Sequence, residues 1–326
     1  MPCGAGVRTN PFLLRHVRRE RNADTCNSIV AVHGLGSNPK SAWVHKETGN
    51  HWLKDCLGTD LQKARILAFN HQSDWEVNTP RETLKGYGNK LLGELEKVRG
   101  EEEKNCPVIF IGHSFGGTMI KQALVNAMEQ PEMKEMKDCF GGVIFLGTPH
   151  GGSSASRIAS ITALATYWLG SRADLLDFLQ PGSLENSDLN KRYLDGYPEI
   201  KHCDIYETKS EEFIFHKIHI PMDPVVSRES AVLDRSGGKV MSMDVKHREL
   251  NKFQSSSDEN YQMVKRVIIK MWEGIKAKER ASSDKAAANH QDFLTAPTTA
   301  RVRSTSSFLD GPTTAGGSRG GWNWGS

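Results

Sequence analysis

The chain has 326 residues, 42 Lys and Arg against 39 Asp and Glu, a formal charge of +3 and 37% hydrophobic residues. This suits one large domain or two small ones with a sizeable core, and excludes a mini-protein that depends on staples. Five Arg against two acids in residues 1–26, and five bases against three acids in 280–326, put the positive excess in the flanks. The body between them lacks the clustered Lys and Arg that would draw in nucleic acid, so no nucleic-acid partner is expected.

Residues 1–26 read as a basic N-terminal arm, with Arg8, Arg15, Arg18, Arg19 and Arg21 beside Phe12, Leu13 and Leu14. Arg-rich segments of this kind also occur in organellar presequences, which would permit a mitochondrial association. The six cysteines, Cys3, Cys26, Cys56, Cys106, Cys139 and Cys203, show no paired spacing and read as scattered reduced thiols, with no metal site and no organic cofactor implied.

From Ser28 onward, short β-branched runs alternate with longer amphipathic segments. Strands are expected at Ile29–Val32, Ala64–Phe69, Val108–Ile111, Val143–Leu146, Cys203–Tyr206 and Val225–Val232. Helices are expected at Pro80–Val98, Thr118–Met128 and Tyr261–Ile275, where apolar residues recur every three or four positions. The pattern predicts an α/β domain over 27–279 with a mostly parallel sheet covered on both faces.

Residues 152–200 interrupt the alternation and read as a small cap insertion over the sheet. Its apolar stretch, Ile158–Leu169, carries Tyr167 and Trp168 and is too short for the roughly 20 residues of a membrane span. It would suit an acyl chain or peripheral contact with a membrane surface. After residue 279 the composition turns to Ser, Ala, Thr, Gly and Pro, which predicts a disordered tail over 280–326. Isolated aromatics within 308–326, at Phe308, Trp322 and Trp324, suggest a motif for self-assembly by β-stacking.

Gly112-His113-Ser114-Phe115-Gly116 follows the run Val108–Ile111 and precedes a helical segment. G-x-S-x-G between strand and helix places a serine on a sharp turn at the carboxyl edge of the sheet, with small residues where strand and helix crowd together. Ser114 is therefore the candidate nucleophile. Acyl transfer also needs two amides aimed at the developing oxyanion. The residue after the serine, Phe115, and the Gly-rich turn His33-Gly34-Leu35-Gly36, through Leu35, are the candidates.

A general base must come late in the chain. His290 lies in the expected tail, His202 precedes the acid-bearing strand, and His216 and His219 lie in a connector, which leaves His247, in the loop before the last helix. The acid must reach that imidazole from a strand end. Glu207 has the right order and element; Asp223 and Glu229 flank the next expected strand and remain alternatives, and Asp244 is closer to the histidine than the role suits.

VHGLGS at 32–37, GHSFGGTMIKQAL at 112–124, VIFLGTPHGG at 143–152, IYET at 205–208, ESAVL at 229–233 and the DVKHR segment together resemble the α/β-hydrolase superfamily over roughly Ser28–Lys276. More narrowly, they resemble lipase-like serine esterases related to serine-active-site-containing and GPI-inositol-deacylase-like proteins. The resemblance implies an α/β-hydrolase fold, a triad of Ser114, His247 and an acid near Glu207, and hydrolysis of an acyl ester, lipid included, in a cytoplasmic protein. Similar domains stand at the N-terminus of fungal NOD-like receptors or beside them as effectors, which implies a second role as an effector with the tail as its assembly motif. The stretch Glu211–Ile220 is longer than in many such relatives.

Overall fold

The computed structural model describes residues 13–18, 27–35, 37–71, 83–99, 106–151, 178, 182–210, 212–215, 218–221, 232–233 and 238–295. The chain divides into two units, Met1–Ile275 and Lys276–Ser326.

The first unit is built on a seven-stranded sheet. Its strands are β1 (Leu13–Arg18), β2 (Asn27–Val32), β3 (Ala64–Asn70), β4 (Val108–His113), β5 (Phe140–Leu146), β6 (Lys201–Glu207) and β9 (Lys239–Met243). Their spatial order is β1-β3-β2-β4-β5-β6-β9. All neighbours run parallel except β1, which pairs antiparallel with β3. The remaining strands, β7 (Glu212–Phe215) and β8 (Ile218–Pro221), form a separate antiparallel pair.

The central strands explain themselves. All six residues of β4 are buried, as are five of six in β2, because helices cover both faces and leave no solvent side to encode. Alternate residues feed two cores. Val30, Val32, Val108 and Phe110 pack with α2 (Leu84–Val98), α3 (Phe115–Glu129) and α5 (Leu184–Gly196). Ile29, Ala31, Ile109 and Ile111 pack with the helical turn Leu53–Leu57 and the first part of α6 (Glu259–Thr295). Two shorter helices, α1 (Gly58–Asp60) and α4 (Lys134–Asp138), complete the set among the described residues. The Thr83 hydroxyl caps α2 by accepting the Gly86 amide at 3.0 Å, and Ser183 caps α5 through the Asn186 amide.

After β2 the chain crosses to β3 on one side, whereas after β4 it crosses to β5 on the other. The carboxyl ends of β2 and β4 therefore flank the switch point, where open α/β sheets form their crevice.

Several elements differ from expectation. Residues 13–18, read as part of a basic arm, form an edge strand. Leu14 turns into the core while Arg15 and His16 are exposed, so one of the charges that suggested an arm stands on the exposed part of a strand. The last strand of the sheet is β9 at 239–243; of the expected strand Val225–Val232, residues 225–231 lie outside the described residues. Residues 280–295, expected to begin a disordered tail, continue the helix α6, helped by the Ala run at 286–288. Residues 296–326 lie outside the described residues, as do 152–177 of the expected cap. The described end of that insertion, α5, buries Leu189 and Tyr193 in the core. Cys106 is disulfide-bonded to a partner outside the described residues, whereas Cys56, Cys139 and Cys203 are free. Spacing along the chain detects local Cys pairs only, so the reading of six reduced thiols fails at Cys106.

Candidate active site

β4 ends at His113 and α3 begins at Phe115, leaving Ser114 alone to reverse the chain. Its backbone sits at φ 52° and ψ −126°, and among the described residues it is the one non-glycine with positive φ. Such a conformation costs about 1–3 kcal/mol and persists only where surrounding contacts impose it. They are in place: the Ser114 amide donates to Leu146 O at 2.8 Å, and the Thr148 hydroxyl donates to Ser114 O at 3.1 Å. A Cβ on Gly112 would lie 2.5 Å from Gly117 Cα, and one on Gly116 would overlap the Val32 carbonyl, so the glycines of the turn are dictated by contact. The Ser114 side chain makes no capping bond to α3, and its helix N-terminus carries partial positive charge toward the turn.

The turn after β2 packs directly on this serine. A Cβ on Gly34 would lie 3.0 Å from Ser114 Cβ. Leu35, half-buried, follows on the same turn, and Phe115 opens α3, where its amide has no acceptor within the helix. His33 Nδ1 lies 2.9 Å from Gly34 O, and the His71 ring, stacked on His33 at 4.0 Å, places Nε2 2.9 Å from His33 O. Burial, and then the neighbouring His33, hold His71 well below the usual imidazole range, so the His71 ring stays uncharged.

Glu207 closes β6 and is buried. Its Oε1 lies 3.1 Å from His247 Nδ1, with the two side chains 0% and 4% exposed. The loop carrying His247 is tied to the end of β6 by the Thr208 amide on Met243 O at 3.0 Å and the Lys209 amide on Val245 O at 3.2 Å. A carboxylate at Nδ1 selects the tautomer with its proton there and leaves the Nε2 lone pair available as a base.

The His247 ring and Ser114 share one end of the sheet. His113, the residue before the serine, places Nε2 3.0 Å from His247 O, with the two rings 5.1 Å apart. Burial first, and then nearby His247, push His113 well below the usual range, so it donates to that carbonyl as a neutral imidazole. Gly147, at φ +60°, brings its backbone against the His247 ring, since a Cβ there would lie 2.8 Å from Cε1.

The expected residues Ser114, Phe115, Leu35, Glu207 and His247 thus converge on the switch-point edge. Asp223 and Glu229 lie outside the described residues. Asp244 faces away: it takes a bond from the Thr208 hydroxyl at 2.9 Å and an ion pair from Lys209 at 3.2 Å, which together lower its carboxyl. His202 is buried beside Asp204 in β6, and His216 lies outside the described residues. Sequence reasoning missed His113, Gly147 and Thr148; their signal was present in the runs GHSFGG and LGTPHGG. Among the described residues no group of three or more His, Cys, Asp or Glu side chains is arranged to hold a metal ion, and no helix is long and apolar enough to cross a membrane.

Residues 23–177 match the family described as "Putative serine esterase (DUF676)". Protein SERAC1 of Bos taurus is 33% identical over 145 residues, covering 38% of this chain and 22% of that protein. Protein SERAC1 of Danio rerio is 33% identical over 160 residues, covering 42% and 24%. The matched stretch spans less than a quarter of these relatives' length. The Bacillus licheniformis lipase BlEst2 in mature form superposes with a TM-score of 0.49 at 18% identity, covering 74% of this chain and 94% of that one. Residues 23–177 are thus similar to a family described as serine esterases, within a mostly parallel sheet that carries a strained serine turn at its switch point.

Proposed function

We propose that the chain hydrolyses an acyl ester through a covalent acyl-enzyme, with Ser114 as nucleophile, His247 as general base and Glu207 as the acid of the triad. His247 Nε2 takes the hydroxyl proton as Ser114 Oγ attacks the carbonyl, and the Phe115 and Leu35 amides hold the oxyanion. The imidazolium then protonates the leaving alcohol, and water releases the acid by the reverse transfers. Glu207 keeps the imidazole in the productive tautomer and stabilises its charged form. The observation that carries this reading is the buried 3.1 Å contact of Glu207 with His247, at the sheet edge that also holds the strained Ser114.

A lipid ester is the proposed substrate class, and peripheral membrane contact the proposed setting for a cytoplasmic or mitochondrially associated protein. Both rest on the apolar stretch Ile158–Leu169, which lies outside the described residues. The effector role with fungal NOD-like receptors rests on the resemblance of the hydrolase motifs to domains that stand with such receptors and on the tail sequence at 308–326.

The test is labelling with a fluorophosphonate, followed by hydrolysis of esters of graded chain length. Wild type should take one label per chain, and Ser114→Ala and His247→Ala none. A folded wild-type protein that takes no label overturns the reading. Rates that rise with acyl length support the lipid class, and a preference for acetate esters rejects it. Removal of 296–326 should leave hydrolysis intact; loss of self-assembly in that variant supports the effector role, and unchanged assembly rejects it.

A further inference from the structure

Behind the serine turn lies a second group of titratable side chains that the proposed chemistry does not use. Lys121, two turns along α3, is 0% exposed. Its Nζ lies 3.1 Å from His150 Nδ1 and also donates to Asn190 Oδ1 of α5. His150 Nε2 lies 3.4 Å from Asp204 Oδ1 on β6, and Asp204 Oδ2 accepts the Leu233 amide at 3.1 Å and faces His202 Nε2 at 3.9 Å. An ammonium donating to Nδ1 leaves the proton of His150 on Nε2, near the carboxylate but without a hydrogen bond to it, and burial, then Lys121, hold the imidazole well below its usual range. The imidazole thus lies between Lys121 and Asp204, edge-to-face with Phe145 at 4.7 Å between ring centres.

His150 ends the segment Gly147-Thr148-Pro149-His150, on which the proposed nucleophile and base both rest. Thr148 bonds Ser114 O, and Gly147 N donates to Ile205 O at 2.7 Å while its backbone abuts the His247 ring. Thr148 also packs so tightly on Gly117 of α3 that any side chain there would overlap it. From the other side, Asn190 Nδ2 donates to His150 O at 2.6 Å and Asn186 Nδ2 to Pro149 O at 3.2 Å. Among the described residues, His150 is the side chain of this segment that lies between α3 and β6, 3.1 Å from Lys121 Nζ and 3.4 Å from Asp204 Oδ1. A shift of the segment would move the Ser114 carbonyl and the wall behind His247 together, and a misplacement of about 1 Å can cost on the order of 100-fold in rate.

We propose that Lys121, His150 and Asp204 are positioning residues, a buried bridge that holds the 147–150 segment in register and thereby sets the separation of Ser114 and His247. The inference rests on Ser114 being the nucleophile. Burial is the main cause that brings Lys121 down to about 7 and Asp204 up to about 6, offset in part by the attraction of Asp204 for Lys121 and by His202, the Leu233 amide and Lys121 beside Asp204. A bridge of this kind contributes little net stability, because desolvation offsets the attraction, so its effect should appear in the reaction more than in the melting temperature.

The experiment compares His150→Leu, His150→Asn and Lys121→Met with wild type. Each is followed by the fluorophosphonate labelling rate per folded chain, kcat and KM on a short-chain ester, and thermal melting. Asn places an acceptor where Nδ1 stood and should keep the Lys121 bond; Leu cannot. His150→Leu and Lys121→Met should each slow labelling and kcat about tenfold with KM within twofold, and His150→Asn should recover most of that loss. Wild-type labelling rates in His150→Leu, or equal losses in His150→Asn and His150→Leu, would overturn the proposal. Should Leu and Met both fail to fold while Asn folds, the bridge serves the fold alone and the positioning role is rejected. Ser114→Ala is the separate control: if it still takes label, the nucleophile assignment fails, whatever the His150 variants do.

Discussion

Replacing Glu207 by Gln keeps the length and shape of the side chain and removes its charge. Since Glu207 is 0% exposed and His247 only 4%, water can neither screen the loss nor substitute for the carboxylate. The Gln amide can present N–H to Nδ1, which would force the imidazole proton onto Nε2, where the base needs its lone pair. Neutralising the acid of a Ser-His-Asp triad in this way costs about 10⁴-fold, or roughly 5.5 kcal/mol of transition-state stabilisation at about 1.4 kcal/mol per decade. The same burial predicts a loss near that full size for Glu207→Gln, read as kcat/KM on a short-chain ester. Thermal melting checks that the protein stays folded. Retention of more than a tenth of wild-type activity would refute the assignment and direct the search to Asp223 or Glu229.

His113→Leu should lower kcat about tenfold, because the His247 carbonyl loses a buried donor at a typical cost of 1–3 kcal/mol; His113→Gln, which can restore a donor near Nε2, should recover much of it in the same assay. Gly116→Ala forces a methyl into the Val32 carbonyl and should destabilise the fold by about 1–3 kcal/mol, measured as a lower urea midpoint. Burial lowers Lys121 from 10.5 to about 7 in the folded chain, so its ammonium costs the fold stability: the cost is absent above 10.5, grows as pH falls toward 7 and is complete below 7. Wild type should therefore gain stability relative to Lys121→Met between pH 7 and 10, by at most about 1.4 kcal/mol per unit; a flat difference in urea unfolding across that range would contradict it.

How much could be read from the sequence depended on whether the signal was local. β2 and β4 announce themselves as unbroken apolar runs, and the glycines of the serine turn report steric needs that no other residue meets. β9 was missed because an edge strand buries little: of Lys239–Met243 only Met243 is fully in the core, so no apolar run marks it. β1 was missed because Arg15 and Arg18 fall within six residues and mimic an arm. His247 could be chosen by order along the chain, and Glu207 by its strand end, but the choice of Glu207 over its rivals needs a distance in space. The Lys121 bridge joins residues 29 and 54 positions apart that touch only once helix and sheet are stacked. Its one trace was a lone lysine in an otherwise apolar stretch of helix, Thr118–Val125, broken also by Gln122.

The antiparallel pairing of Leu13–Arg18 with Ile66–Asn70 bears on how the protein could be trimmed. Proteolytic maturation that severed the leading segment anywhere past Leu13 would tear a row of hydrogen bonds from the sheet margin and bare the backbone of β3 to any strand-seeking neighbour. Any trimming that respected the fold would have to fall before Leu13, leaving Arg15 and Arg18 on the strand.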